Sequence, residues 1–240
     1  MSKTGYTIDA KAIHGELKLY PLFIAFNAAN VVTMISFAAK LTVFNVYLIG
    51  KIYAGTAILP VLMMFLLQNV VVEVYGFERA RHMNQISLVC GLLYILFAAS
   101  TLFFSDYGSP LNFDYDAVIM TFPRHMLAFV LAFYVGTYYG DYVVSRTKVL
   151  FSGRLVYFRF IAGIAASSII YQLLGSLVSR YGTLHFLDII KYDLLGVSYK
   201  FLFELICMPL VYLLAKYVKR YELLDIYDRT VSYNPFKIRF

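Results

Sequence analysis

The chain has 240 residues, 61% of them apolar and 15% charged, with a net charge of +7 and a mean hydropathy of +0.70. Soluble domains average about 45–50% apolar and about 25% charged residues, so this composition excludes a soluble domain and requires a solvent that is itself apolar. The Lys and Arg fall in loops and tails, where membrane orientation accounts for them, so no nucleic-acid partner is implied.

The first residues, through Glu16, are polar and mixed in charge, with no small-residue cleavage site. Insertion is therefore expected to use the first membrane helix itself. A helix needs about 20 mostly apolar residues to cross the hydrocarbon, and six stretches meet that length. They run Leu19–Ala39, Ile52–Val72, Ile86–Phe104, His125–Val144, Tyr157–Val178 and Leu194–Tyr217. A shorter apolar piece, Leu41–Ile49, reads as re-entrant or interfacial, and Ser105–Asp116, with Gly108, Pro110 and three Asp, reads as a loop. Long unbroken runs favour helices over a barrel, whose strands would be short and alternating. The expected fold is an all-α membrane protein, a bundle of six transmembrane helices over 19–218. An N-terminal segment 1–18 and a loose or short amphipathic tail 219–240 flank it.

With six helices both termini share a side. That side collects 15 Lys and Arg and the other side 6, which together are the chain's 21. The bias places both termini in the cytoplasm. Cys90 and Cys207 lie inside apolar runs and imply no disulfide framework.

Polar residues inside apolar runs carry the functional information, because each is costly unless paired or facing water. Asn27 and Asn30 share a face of the first helix. On the second, Gln68, Asn69 and Glu73 cluster near one end, with Glu73 expected to pair with Arg79 or Arg81. Tyr134, Tyr138 and Tyr142 form a stripe on the fourth, beside Asp141 and a Gly136-x-x-x-Gly140 motif that permits close helix contact. Ser168, Gln172, Ser176 and Ser179 line one side of the fifth. On the sixth, Lys200 and Glu204 stand four apart, an intrahelical ion pair or a functional site. His14, His82, His125 and His185 lack metal-ligand spacing, and no HExxH, GxSxG or P-loop occurs. No catalytic residue, metal or cofactor is expected.

The segment VVVEVYGFERAR, Val70–Arg81, resembles the signature that closes the second helix of the queuosine precursor transporter family, also called the vitamin-uptake-like VUT family. TFPRHMLAFVLAFYVG, Thr121–Gly136, is similar to that family's Pro-Arg entry to the fourth helix, here with Arg124. SSIIYQLLGS, Ser167–Ser176, resembles its Ser-rich segment with a central Gln. YKFLFELICMPLVYLL, Tyr199–Leu214, resembles its last helix, with Lys200 and Pro209 nine apart. The chain departs from the family at three acidic positions, which here are Asn69, Gly175 and the Cys207-Met208 pair, while Glu204 adds an acid nearby.

The resemblance implies uptake of a small flat heterocycle, a 7-deazaguanine such as queuine, preQ0 or preQ1, across a bacterial inner membrane. The expected binding residues are Asn30, Gln68, Asn69, Glu73, Arg124, Tyr138, Gln172, Lys200 and Glu204, with Glu204 the ring-edge acceptor and Glu73 given to gating or pairing. The partners expected are the solute, the bilayer, and a second copy or an energising subunit. An alternative reading is the substrate-binding subunit of an energy-coupling-factor transporter, for which Ala25-x-x-x-Ala29 supplies a partner motif. An intramembrane enzyme or a scaffold are further alternatives that the residues support less.

Overall fold

The computed structural model describes residues 17–38, 41–46, 50–104, 110–180, 182 and 185–235. The expected N-terminal segment before residue 17, the first part of the 105–116 loop and the last five residues of the tail lie outside them. The elements in chain order are α1 (Tyr20–Ala38), β1 (Leu41–Val46), β2 (Gly50–Gly55), α2 (Ile58–Tyr75), α3 (Phe77–Ser100), α4 (Pro110–Met120), α5 (Phe122–Leu150), α6 (Val156–Arg180) and α7 (Phe186–Glu222). Six of these helices, all but α4, are long and apolar enough to cross a membrane. The six-helix bundle expected from the hydropathy is present.

Three local expectations are corrected. The piece Leu41–Ile49 contributes a β-strand, Leu41–Val46, paired antiparallel with Gly50–Gly55. Its alternating β-branched and aromatic residues fit a pleated ribbon. This hairpin takes up Ile52 and Tyr53, so α2 begins at Ile58 and not at Ile52. The stretch expected as a loop becomes helical at Pro110, which suits a first helical turn because it lacks only an N–H that would be unbonded there. At 11 residues α4 is about 16 Å long, too short to cross. Finally α7 runs 37 residues, beyond both expected ends, with Pro209 inside it.

Helix α2 is the centre of the bundle. Burial covers 78% of its span, against 22% for α3 and 28% for α7. The outward faces of the other helices carry large apolar side chains such as Phe97, Leu177, Ile206 and Leu210, all exposed. In a bilayer those faces meet lipid. Close contact between α5 and α6 rests on glycine. A Cβ on Gly140 would stand 2.7 Å from that of Ser167, and one on Gly163 2.3 Å from Val144 Cγ2. The Gly136-x-x-x-Gly140 motif thus meets α6 as its spacing predicts.

Between α2 and α3 the chain turns at Gly76, whose φ of +81° is open to glycine and strained for other residues. A side chain there would also strike Asp228, 2.7 Å away. That contact comes from the segment after α7, whose described residues are packed against the bundle and not loose. Leu224, Ile226 and Asp228 are buried in the bundle end, and the Ile226 N–H bonds the Val74 carbonyl at 3.2 Å.

Candidate functional site

A cavity of about 150 Å³ lies at the end of the bundle away from this tail. It is bounded by residues near the ends of five helices: Met34 and Ile35 on α1, Ile58 on α2, Phe122 and His125 on α5, Ser179 on α6 and Tyr192 on α7. Its walls are aromatic and apolar, with Phe129, Tyr171 and Tyr199. Its polar groups are Gln172, Ser176 and Ser179 on α6, Lys200 on α7 and His125 on α5.

These groups are wired together. Lys200 Nζ donates to Gln172 Oε1 at 2.5 Å, and Gln172 Nε2 donates to Asp193 Oδ1 at 3.2 Å. The other Asp193 oxygen accepts from Ser176 Oγ at 2.6 Å. The Lys200 ammonium also lies 5.0 Å from the centre of the Tyr171 ring, a cation–π arrangement. The close pass of α6 and α7 depends on Gly196, since a Cβ there would lie 2.8 Å from the Gln172 amide. One fixed cation, an amide and two hydroxyls facing aromatic walls can orient a flat ring that carries both donors and acceptors.

Glu204 stands apart from this network. It is fully buried one turn beyond Lys200, does not line the cavity, and neither carboxyl oxygen has a hydrogen-bond partner. Lys200 turns to Gln172 and not to Glu204, so the intrahelical ion pair weighed from the spacing is not formed. Five residues on, Pro209 cannot donate to the carbonyl of Leu205, which loosens α7 next to this carboxyl.

Glu73 occupies a second site, at the tail end. It pairs with Arg159 Nη1 at 3.0 Å and Lys219 Nζ at 2.6 Å, with Lys148 Nζ at 3.9 Å. The expected pairing with Arg79 or Arg81 is therefore replaced by cations from α5, α6 and α7. Lys148 further holds Asp225 at 2.6 Å and the main-chain carbonyls of Glu73 and Ile226. Lys219 also reaches Asp225, at 2.9 Å. Burial alone would push Asp225 up, yet the two ammoniums hold its carboxyl below the ordinary aspartate value.

The third group is Gln68 with Asn84 and Asp141. Gln68 Nε2 donates to Asn84 Oδ1 at 3.0 Å, and Asn84 Nδ2 to Asp141 Oδ2 at 2.8 Å. Tyr138 lies over this chain and donates to the Tyr233 carbonyl of the tail.

The expected binding residues thus separate by position. Gln172 and Lys200 meet in the cavity, Gln68 and Tyr138 are each linked to the Asn84–Asp141 pair without touching one another, and Glu73 joins the ion cluster at the tail end. Asn69 is buried beside Gly163 on α6, off the cavity. Asn30 is half-buried on α1 with its amide nitrogen unpartnered. Arg124 falls in the first turn of α5, and its side chain lies outside the described ones. The sequence reading missed Asp193, Asn84, Lys148 and Arg159. Lys148 and Arg159 counted there only as orienting charges, although a buried carboxylate such as Glu73 demands cations.

A family model described as a vitamin uptake transporter matches residues 55–214, from the end of β2 to beyond Pro209 in α7. The chain belongs to this vitamin uptake transporter family. Neither a curated protein nor a solved structure matches it. The matched stretch includes both polar chains, the Gln172–Lys200 network and the Gln68–Asn84–Asp141 row. With six membrane-crossing helices, this is a multi-pass membrane transporter of the vitamin-uptake type. A family of transporters accords with the expectation that the chain is not an enzyme.

Proposed function

We propose that this vitamin uptake transporter carries a queuosine precursor, a 7-deazaguanine such as queuine, preQ0 or preQ1, into the bacterial cytoplasm. The observation that carries the reading is the Lys200–Gln172 pair set among aromatic rings in a cavity that a single small ring system would fill. The lactam carbonyl accepts from Lys200, and the ring-edge N–H groups donate to Gln172 Oε1 and the serine hydroxyls. Tyr171, Tyr199 and Phe129 offer faces for stacking. Glu204, one turn deeper, serves as ring-edge acceptor once the solute leaves the cavity, and Gln68 and Tyr138 meet it nearer the tail.

In this reading the tail end faces the cytoplasm and the cavity faces out, in line with the Lys and Arg bias. Ala25 and Ala29 are both exposed on α1, where an energising subunit of the energy-coupling-factor type would pack. Co-purification from the native host separates that arrangement from a transporter working alone.

The test is a strain unable to make queuosine, expressing this chain and given low external precursor. Recovery of the modified tRNA is expected. No recovery despite membrane expression would reject these substrates. Single-cysteine labelling in a background lacking Cys90 and Cys207 checks orientation, and labelling from outside at a position after Glu222 would reject it.

A further inference from the structure

At the tail end, three donors of the bundle are spent on main-chain carbonyls of the chain's own last described residues. Arg81 Nη1 donates to the Asn234 carbonyl at 2.6 Å and more weakly to that of Ser232 at 3.4 Å. The Tyr134 hydroxyl donates to the Pro235 carbonyl and the Tyr138 hydroxyl to that of Tyr233. The Tyr233 ring lies with its centre 5.0 Å from both Phe77 and Tyr142. Beneath them is the buried row Gln68–Asn84–Asp141. Between the two layers remains a space of about 10 Å³, lined by Phe77, Arg81, Asn84, Thr137 and Asp141 among others. That is about the room of one water.

Carbonyl oxygens facing fixed donors, with a flat ring packed against two aromatic side chains, Phe77 tilted to it and Tyr142 edge-on, are the groups a lactam heterocycle presents. We infer that this is a second solute site, on the tail side of the bundle, and that Ser232–Pro235 fills it as a gate while the cavity at the opposite end stands open. The inference rests on the proposed uptake of such a heterocycle.

The segment is built to lift without unfolding the bundle. Asp225, Ile226 and Asp228 anchor its start: Asp225 to Lys148 and Lys219, Ile226 to Val74, and Asp228 to the Phe77 N–H at 2.8 Å and to Ser145 Oγ at 2.6 Å. Arg229 and Thr230 follow, both exposed, and form the hinge. With the strap lifted, Arg81, Tyr134 and Tyr138 are free to donate, and Asn84 and Asp141 supply acceptors and a further amide. One site open outward and the other plugged by the chain itself is one half of an alternating-access cycle.

The test uses the full chain lacking Cys90 and Cys207, with Thr137→Cys as reporter, since Thr137 is 1% exposed and lines the enclosed space. A membrane-impermeant maleimide is applied from the tail side of membrane vesicles. Slow labelling is expected, rising roughly tenfold or more when Tyr233→Ala removes the ring that wedges the strap. The melting temperature, measured alongside, is expected to stay near that of the parent, because Tyr233 lies outside the helices. PreQ1 is expected to slow labelling again in the Tyr233→Ala background, and Asp141→Asn to abolish that protection. Tyr138→Phe, which cuts one tether and keeps the ring, gives the same rise if Tyr233→Ala proves unstable.

Equal labelling with and without the strap's ring would overturn the gate. Should preQ1 protect Ser179→Cys in the outer cavity and not Thr137→Cys, the inner site is overturned while the uptake reading stands. Protection of neither rejects the uptake reading and the inner solute site with it, leaving the gate to be decided by the labelling ratio.

Discussion

Lys200 Nζ on α7 and Gln172 Oε1 on α6 lie 2.5 Å apart, and this bond, not an ion pair with Glu204, sets where the ammonium in the cavity points. Gln172 in turn rests against Gly196, with no space for a Cβ between them.

Replacing Gln172 by Leu removes the acceptor of a buried ammonium and a donor to Asp193. The expected cost is about 1–3 kcal/mol of stability, with a loss of solute affinity of roughly tenfold or more. Gly196→Ala is expected to displace the Gln172 amide and weaken binding with a smaller effect on melting, because the amide is the flexible end of its side chain. Thermal shift with and without precursor separates the two effects.

Glu73→Gln leaves Lys148, Arg159 and Lys219 facing one another around a neutral amide. Breaking a buried pair by removing one partner costs about 3–5 kcal/mol. A marked fall in melting temperature and yield is expected, with part of the loss recovered by Arg159→Gln in the same chain. An unchanged melting temperature for the single variant would remove the ion cluster as a structural keystone.

Glu204→Met should raise the melting temperature. Its two carboxyl oxygens are buried without partners, and a Met of similar length fills the space without that desolvation cost, about 1–3 kcal/mol. Lys200 keeps its bond to Gln172. A destabilised variant would mean that Glu204 has a partner in the membrane-embedded protein.

The hold of the anchor that precedes the strap should depend on pH through Asp228. Burial pushes its carboxyl above the ordinary aspartate value, the hydrogen bonds from Ser145 and the Phe77 N–H and the charge of Lys148 oppose this in part, and Glu78 adds to the rise. A group raised by folding contributes fully below its unfolded value, about 3.9, and its contribution is lost as pH rises through the raised folded value. Asp225 has the opposite sign. It contributes above the unfolded value, and that contribution is lost as pH falls through its lowered folded value. The window that holds the anchor, and with it the strap, best therefore lies between the lowered Asp225 value and the raised Asp228 value. Labelling of Thr137→Cys should quicken as pH rises through the raised Asp228 value, and Asp228→Asn should flatten the change. Taking the ratio of the two chains at each pH cancels the titration of the thiol itself. A ratio that does not move with pH would exclude Asp228 as the cause.

Much of the architecture was legible because it depends on sums along the chain. Six apolar runs, the Gly136-x-x-x-Gly140 contact, and Gln172 and Lys200 as inward polar groups all follow from local hydropathy and helical spacing. The hairpin was missed because Leu41–Ile49 is apolar whichever secondary structure it takes, and periodicity over so few residues does not separate a strand from a short buried helix. Helix α4 was missed because three Asp and a Gly around Pro110 read as a turn.

The sequence by itself determined that this chain lives in a bilayer, how many times it crosses, and which polar residues cannot face lipid, since transfer energies are properties of each segment alone. Which of those residues meet was decided only by the tertiary structure. Glu73 finds Arg159 and Lys219, from 86 and 146 positions away, and Tyr138 finds the tail carbonyl of Tyr233, 95 positions on. Such meetings depend on the rotation and crossing of each helix, which the packing of all the others sets, so no local pattern encodes them.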